Sequence, residues 1–236
     1  MSNPIVIAID GPASSGKSTM GFLLAKDLGY QFVDSGLIYR VGCAYILEKG
    51  IDILNISMLE EVFQNMDIHF YNEGLKQRIT AFENDYTNII NTPEITKIVP
   101  VVGANHTVRE KVQKIQRTLG ADRNTVMVGR DIGSTIFPNT PHKFFITASA
   151  EIRAQRRYKQ LIDGGTVVTY ETVFEDIKQR DLKDTTRESS PMIIPESAIV
   201  IDTSTLSMAE TVNMIKITFL KNIEPNKELH SQLKLR

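Results

Sequence analysis

The sequence predicts an α/β protein in which a parallel sheet carries helices on both faces and one small antiparallel insert interrupts the pattern. Three observations carry this prediction. Short, wholly apolar runs alternate with amphipathic stretches; a glycine-rich loop joins the first apolar run to the first amphipathic one; and only residues 67–92 string β-prone runs together with no helix between them.

In chain order, Ile5–Ile9 reads as a buried strand. The next stretch puts Met20, Leu23, Leu24 and Leu28 on one helical face before Gly29, a natural C-terminal stop. Gln31–Asp34 reads as a strand and Leu37–Glu48 as a helix. Asp67–Tyr71, Leu75–Phe82 and Tyr86–Ile90, separated by Asn-Glu-Gly and Glu-Asn-Asp, read as a β-meander. Val108, Val112, Ile115 and Leu119 recur at helical spacing before Gly120. Thr125–Val128, Lys143–Thr147 and Ala198–Ile201 read as buried strands, with helices near 149–162 and 171–182. The tail after Ile223, with Pro225 and alternating charges, reads as a frayed end.

A chain of 236 residues has room for one large domain with a small insert. Its 42% hydrophobic and 23% charged residues exclude a disordered or collagen-like chain. The 27 basic and 28 acidic residues leave a formal charge of -1, so no overall charge excess draws it to nucleic acid or anionic membrane, and any anion site must be local. The single cysteine, Cys43, excludes an internal disulfide framework and reads as a buried apolar residue. The first residues lack a basic region before their short apolar run, and no stretch reaches about 18 apolar residues, which predicts a cytoplasmic protein. The sequons at Asn55 and Asn105 then have no glycosylation meaning. His69, His106, His142 and His230 show no metal-ligand spacing.

The strongest chemical signal is Gly11-Pro12-Ala13-Ser14-Ser15-Gly16-Lys17-Ser18, which fits G-x-x-x-x-G-K-[ST] between a strand and a helix. Its glycines let backbone N–H groups wrap around phosphates, and the following helix adds its positive dipole end. Lys17 can reach the β- and γ-phosphates, and the Ser18 hydroxyl can ligate Mg²⁺. Asp10 and Asp34, at the ends of the first two strands, can either steer Mg²⁺-bound waters or cap turns. A guanine-nucleotide switch is a poor fit: no D-x-x-G occurs, and the only Asn-Lys pair, Asn226-Lys227, continues Glu-Leu.

Arginines concentrate instead in the second half, at 130, 153, 156, 157, 180 and 187. Arg153, Arg156 and Arg157 share one helical face and repel one another, which points to an anionic partner; Arg180, Asp184 and Arg187 form another face. Phosphoryl transfer onto a second phosphate explains such a set. Two polyanions must be brought together, the acceptor oxygen is already ionised, and guanidinium forks grip phosphate oxygens in pairs.

These residues resemble the bacterial cytidylate kinases, a family of P-loop nucleoside monophosphate kinases. The matching segments are IAIDGPASSGKST at 7–19, VDSGLIYR at 33–40, VREKVQKIQR at 108–117, VGRDIGSTIFP at 128–138, FFITASAEIRAQRRYKQL at 144–161, and IKQRDLKDTTRESSP with AIVIDTS within 177–204. The resemblance implies a P-loop NTPase core with a five-stranded parallel sheet, a small antiparallel β insert in the monophosphate-binding region, and a lid. The whole of 1–236 is then a single domain: core 1–36, 104–150 and 171–223, monophosphate-binding region 37–103, lid about 151–170, and tail 224–236.

The resemblance also implies roles. Lys17, Arg130, Arg153 and Arg157 act on the transferring phosphoryl group. Gly11, Pro12, Ala13, Ser14, Ser15, Gly16, Lys17, Ser18, Thr19 and Arg156 hold ATP, with Ser18 on Mg²⁺. Ser35, Arg40 and Arg130 hold the acceptor phosphate; Arg109, Asp131 and Arg187 read the cytosine edge; Arg180 and Asp184 contact the ribose. Gly164-Gly165 gives the lid its flexibility. Pro100 stands where the family usually has a base-binding serine, and Pro195-Glu196-Ser197 replaces an acidic pair. The expected activity is Mg²⁺-dependent transfer of the ATP γ-phosphoryl group to CMP or dCMP, by a monomer with no nucleic-acid or membrane partner. The alternatives are a kinase for another small acceptor such as UMP, or a non-catalytic nucleotide-binding regulator.

Overall fold

The computed structural model describes residues 3–73 and 76–233. In chain order the first half holds β1 (Val6–Asp10), α1 (Lys17–Leu28), β2 (Gln31–Asp34), α2 (Ser35–Glu48), α3 (Ile56–Gln64), β3 (Ile68–Glu73), β4 (Lys76–Ala81), β5 (Asn84–Asp85), α4 (Pro93–Ala104) and α5 (His106–Asp122). The second half holds β6 (Thr125–Gly129), a π-helical turn (Ile132–Ile136), β7 (Lys143–Thr147), α6 (Ala150–Asp163), α7 (Tyr170–Thr186), β8 (Ile199–Asp202) and α8 (Met208–Leu233).

Five strands form one sheet in the order β2-β6-β1-β7-β8, every pairing parallel. β1 and β6 are buried along their whole length, which is why their apolar residues run together, whereas β8, expected to be buried, lies at the sheet edge and buries only Ile201. Alternate strand residues feed the two faces. Ala8, Val33 and Met127 enter a core beneath α2, α3 and α5, while Ile7, Ile9, Val126 and Val128 enter a second core that includes Leu24 of α1 and Phe219 of α8. Cys43 is fully buried in the first core, and that burial pushes its thiol up to about 12.

Helix starts follow short polar side chains. Asp34 accepts from the Gly36 N–H, so α2 begins at Ser35, two residues before the apolar periodicity predicts. The two sequon asparagines are N-caps: Asn55 accepts from Met58 and Asn105 from Val108. α3 and α4 were not expected from periodicity. α3 has only nine residues, and α4 carries Pro100 within it, so neither presents a long helical pattern.

The insert is a three-stranded antiparallel sheet, β3-β4-β5, whose last strand is only Asn84–Asp85. The expected strand Tyr86–Ile90 does not form. The Ile79 N–H, which a longer strand would pair, donates instead to the Thr87 hydroxyl at 2.9 Å, and Asp85 turns the chain by accepting from the Thr87 N–H. Tyr86 leaves the sheet edge for the core, where it is 1% exposed. Gly74 and Leu75 lie outside the described residues. α8 continues through most of the segment expected to fray, as far as Leu233, and 234–236 lie outside the described residues. Among the described residues no helix is long and apolar enough to cross a membrane.

Candidate active site

The glycine-rich loop connects the C-terminal end of β1 to α1, where ligands of open parallel sheets gather. Gly11 has φ 149°, and a Cβ there would stand 2.0 Å from the Ile146 carbonyl oxygen, so only glycine fits. Gly16 (φ 89°) and Ser14 (φ 59°) adopt left-handed conformations that curl the loop. α1 starts with no side-chain cap, leaving its first N–H groups for an anion. Ser15 Oγ is buried and without a hydrogen-bond partner among the described residues. Lys17 is buried with its Nζ donating to the Pro12 carbonyl at 2.9 Å; burial first, then neighbouring Arg130, holds its ammonium well below the ordinary lysine value. A polyphosphate would supply the missing countercharge. The Ser18 hydroxyl donates to Asp34 Oδ2 at 2.6 Å. Asp34 therefore both caps α2 and holds Ser18, whereas Asp10 spends both its oxygens on backbone N–H groups of the π-helical turn.

Across the loop, Arg130 follows β6 and spans two elements. Its Nη1 donates to the Gly11 carbonyl and its Nε to Asp184 Oδ2 on α7, both at 2.7 Å. Burial opposes the Asp184 charge, but Arg130 and then Arg180 outweigh it and hold the carboxyl below its ordinary range. Ser35 is buried beside Gly129, where a Cβ would stand 2.6 Å from Ser35 Oγ. Arg40 donates to the Ile90 carbonyl and to Thr96 Oγ1, tying the end of the insert to α4.

Arg109 on α5 and Asp131 form a buried ion pair at 2.7 Å, and Arg187 Nη2 approaches the same Asp131 Oδ2 at 3.4 Å. Burial raises the Asp131 carboxyl even against these arginines. Arg109 Nε and Arg187 Nη2 are buried with no hydrogen-bond acceptor among the described residues. Tyr39 borders this group; burial pushes its hydroxyl up to about 12, with Arg109 and Asp131 the next strongest influences.

The three arginines of α6 separate in role. Arg153 is buried, donates to the Ala148 and Ala13 carbonyls, and makes a two-pronged pair with Asp181 of α7 at 3.1 and 2.7 Å. Arg156 reaches the Thr203 hydroxyl and carbonyl and the Ser15 carbonyl at 3.0, 2.6 and 3.5 Å. Among the described residues, Arg157 bonds only Gln160 of its own helix. Arg180 has no hydrogen bond or ion pair among the described residues. Burial first, and then the charge of Arg130, bring its guanidinium down to about 10, with Arg40 and Arg157 adding to the same repulsion.

The structure thus brings Arg130, Arg153 and Arg156 onto the carbonyls of Gly11, Ala13 and Ser15, and leaves Arg157 and Arg180 unpaired with carboxylates. Two contributors were not singled out from the sequence: Asp181 and Thr203 hold Arg153 and Arg156. Of the two sequence readings of Asp10, its bonds to the turn after Asp131 match the capping one. Asp181 adjoins Arg180 in a charged run that carries its own signal; Thr203 is 56 residues from Thr147, whose carbonyl it bonds, and carries none.

A family model described as cytidylate kinase matches residues 7–221. The cytidylate kinase of Caldanaerobacter subterraneus subsp. tengcongensis is 42% identical over 218 residues, covering 92% of this chain and 96% of the relative. That of Carboxydothermus hydrogenoformans is 39% identical over 92% of this chain and 98% of its own. The Bacillus subtilis cytidylate kinase is 38% identical over 91% and 96% respectively.

Proposed function

The chain belongs to the cytidylate kinase family, and from that membership and the geometry of the cleft we propose that it transfers the γ-phosphoryl group of ATP to CMP or dCMP, yielding ADP and CDP or dCDP. One observation carries the reading: a phosphate loop and a buried arginine–carboxylate pair face each other across a set of arginines that converge on the loop.

On this reading the N–H groups of residues 11–18 and the Lys17 ammonium cradle the donor phosphates. Both arginine contacts of Asp131 fall on Oδ2, which leaves Oδ1 to accept from an exocyclic amine, while Arg109 and Arg187 donate to the acceptors beside it. Uracil presents a carbonyl where cytosine has the amine, so the same carboxylate would meet an acceptor and discriminate against it. Ser35, Arg40 and Arg130 hold the acceptor phosphate, and Asp184 with Arg180 the ribose. Arg153, Arg156 and Arg157 close with α6 over the reacting groups and exclude water, which would otherwise accept the phosphoryl group. With the acceptor oxygen already ionised, these residues act by positioning and charge stabilisation rather than by proton transfer.

The residues fit a bound Mg²⁺: the Ser18 hydroxyl and the Asp34 carboxylate are hard oxygen donors side by side, and among the described residues no cluster of three His, Cys, Asp or Glu side chains competes for a softer ion. When bound, Mg²⁺ neutralises phosphate charge. We place the enzyme in the cytoplasm as a monomer. Phosphorus NMR of ATP, CMP and protein with Mg²⁺ tests the reading: ADP and CDP signals should grow together. Growth of inorganic phosphate, or an unchanged spectrum, would contradict it.

A further inference from the structure

Asp10 is the last residue of β1, fully buried, and directly precedes Gly11 of the phosphate loop. Its Oδ1 accepts the Ile132 N–H at 2.8 Å and its Oδ2 the Gly133 N–H at 2.7 Å. Those amides open the π-helical turn that follows Asp131. A second link runs beside it: Arg130, on the other side of Asp131, donates to the Gly11 carbonyl. Two consecutive residues of the donor loop segment are therefore tied to the segment that carries the base-reading carboxylate. A negative charge is kept here at a cost, buried and close to a second carboxylate, Asp131, with Lys17 as the facing cation.

We propose that Asp10 is a positioning residue for acceptor recognition: by holding the Ile132 and Gly133 amides, it sets Asp131 at a fixed distance from the phosphate loop. This rests on Asp131 as the reader of cytosine, and a carboxylate is the group the geometry requires. Two N–H donors converge on it, and asparagine would meet one of them with its own N–H. Gly133 offers an independent handle. A Cβ there would stand 3.3 Å from Asp10 Oδ2, with Pro195 and Lys143 side chains at 3.1 and 3.2 Å, so alanine crowds the turn while Asp10 itself is kept.

The test is steady-state kinetics of the wild type, Asp10→Asn and Gly133→Ala with CMP and with UMP at saturating Mg-ATP. The ratio of kcat/KM for CMP to that for UMP should fall about tenfold in Asp10→Asn and about threefold in Gly133→Ala, while KM for ATP stays within about twofold. A pin that merely supports the fold would lower both acceptors equally, so an unchanged ratio in the folded variants overturns the proposal. If Asp10→Asn does not fold, Gly133→Ala decides alone. Wild-type protein that ignores CMP would instead refute the function on which the proposal rests, a result separable from an unchanged ratio.

Discussion

Arg130 Nη1 donates to the carbonyl of Gly11 at 2.7 Å, and this bond joins the segment that carries Asp131 to the glycine-rich loop. With its Nε on Asp184, the same guanidinium ties the glycine-rich loop to α7 as well. Two bonds from one side chain thus hold three segments of the site in a fixed relation.

Lys17→Ala removes the loop's ammonium group, a buried charge that burial and Arg130 disfavour. Turnover should fall by about 10²–10³, with the melting temperature unchanged or higher. A coupled ADP assay and a thermal melt check both, and wild-type turnover would defeat the cradle's role.

If Asp131 reads the base as proposed, Asp131→Ala should bring CMP and UMP closer together as acceptors, because the carboxylate facing the uracil carbonyl would be gone. It also strands Arg109, whose side chain is 6% exposed, and should cost about 3 kcal/mol of stability in urea melts. An acceptor preference identical to the wild type would remove Asp131 from base reading.

Asp181→Ala leaves the buried Arg153 without its carboxylate and should destabilise the protein by about 2–3 kcal/mol. The cost should shrink in an Arg153→Met background, so a double-mutant cycle reads the coupling directly. Additive single effects would show that the pair contributes nothing as a pair.

Burial raises the Asp10 carboxyl to about 6 in the folded protein, against 3.8 as its ordinary value. The folded state therefore binds this proton more tightly than the unfolded one. The resulting stabilisation is complete below the ordinary value and is lost as pH rises through about 6. Between pH 5 and 7 the wild type should lose about 1 kcal/mol relative to Asp10→Asn, whose side chain does not titrate. Urea melts of both proteins at pH 5, 6 and 7 measure the difference, and a gap that does not change with pH would place the proton elsewhere.

The centre of the parallel sheet was legible because β1 and β6 are buried on both faces, so Ile5–Ile9 and Val126–Val128 stand out as apolar runs, whereas Ala198–Ile201 gave the same signal at an exposed edge. The phosphate loop was legible because its glycines answer steric demands that no other residue meets, as Gly11 against Ile146 shows. What escaped depends on contacts distant in sequence. Thr87 ends a strand by taking the N–H of Ile79, and nothing in Tyr86–Ile90 itself announces it. Asp10 presents two readings until its partners Ile132 and Gly133, more than 120 residues away, decide between them. The division of Arg153, Arg156 and Arg157 was equally hidden. Helical spacing puts all three on one face, and only Asp181 and Thr203 settle which are already engaged.

The initial rate of ADP formation from Mg-ATP, measured with CMP, dCMP, UMP and no acceptor in parallel, probes most directly whether this cleft joins two nucleotides end to end. The account predicts rapid ADP formation with CMP or dCMP, a much slower rate with UMP, and almost none without acceptor. A rate equal with and without CMP would contradict it.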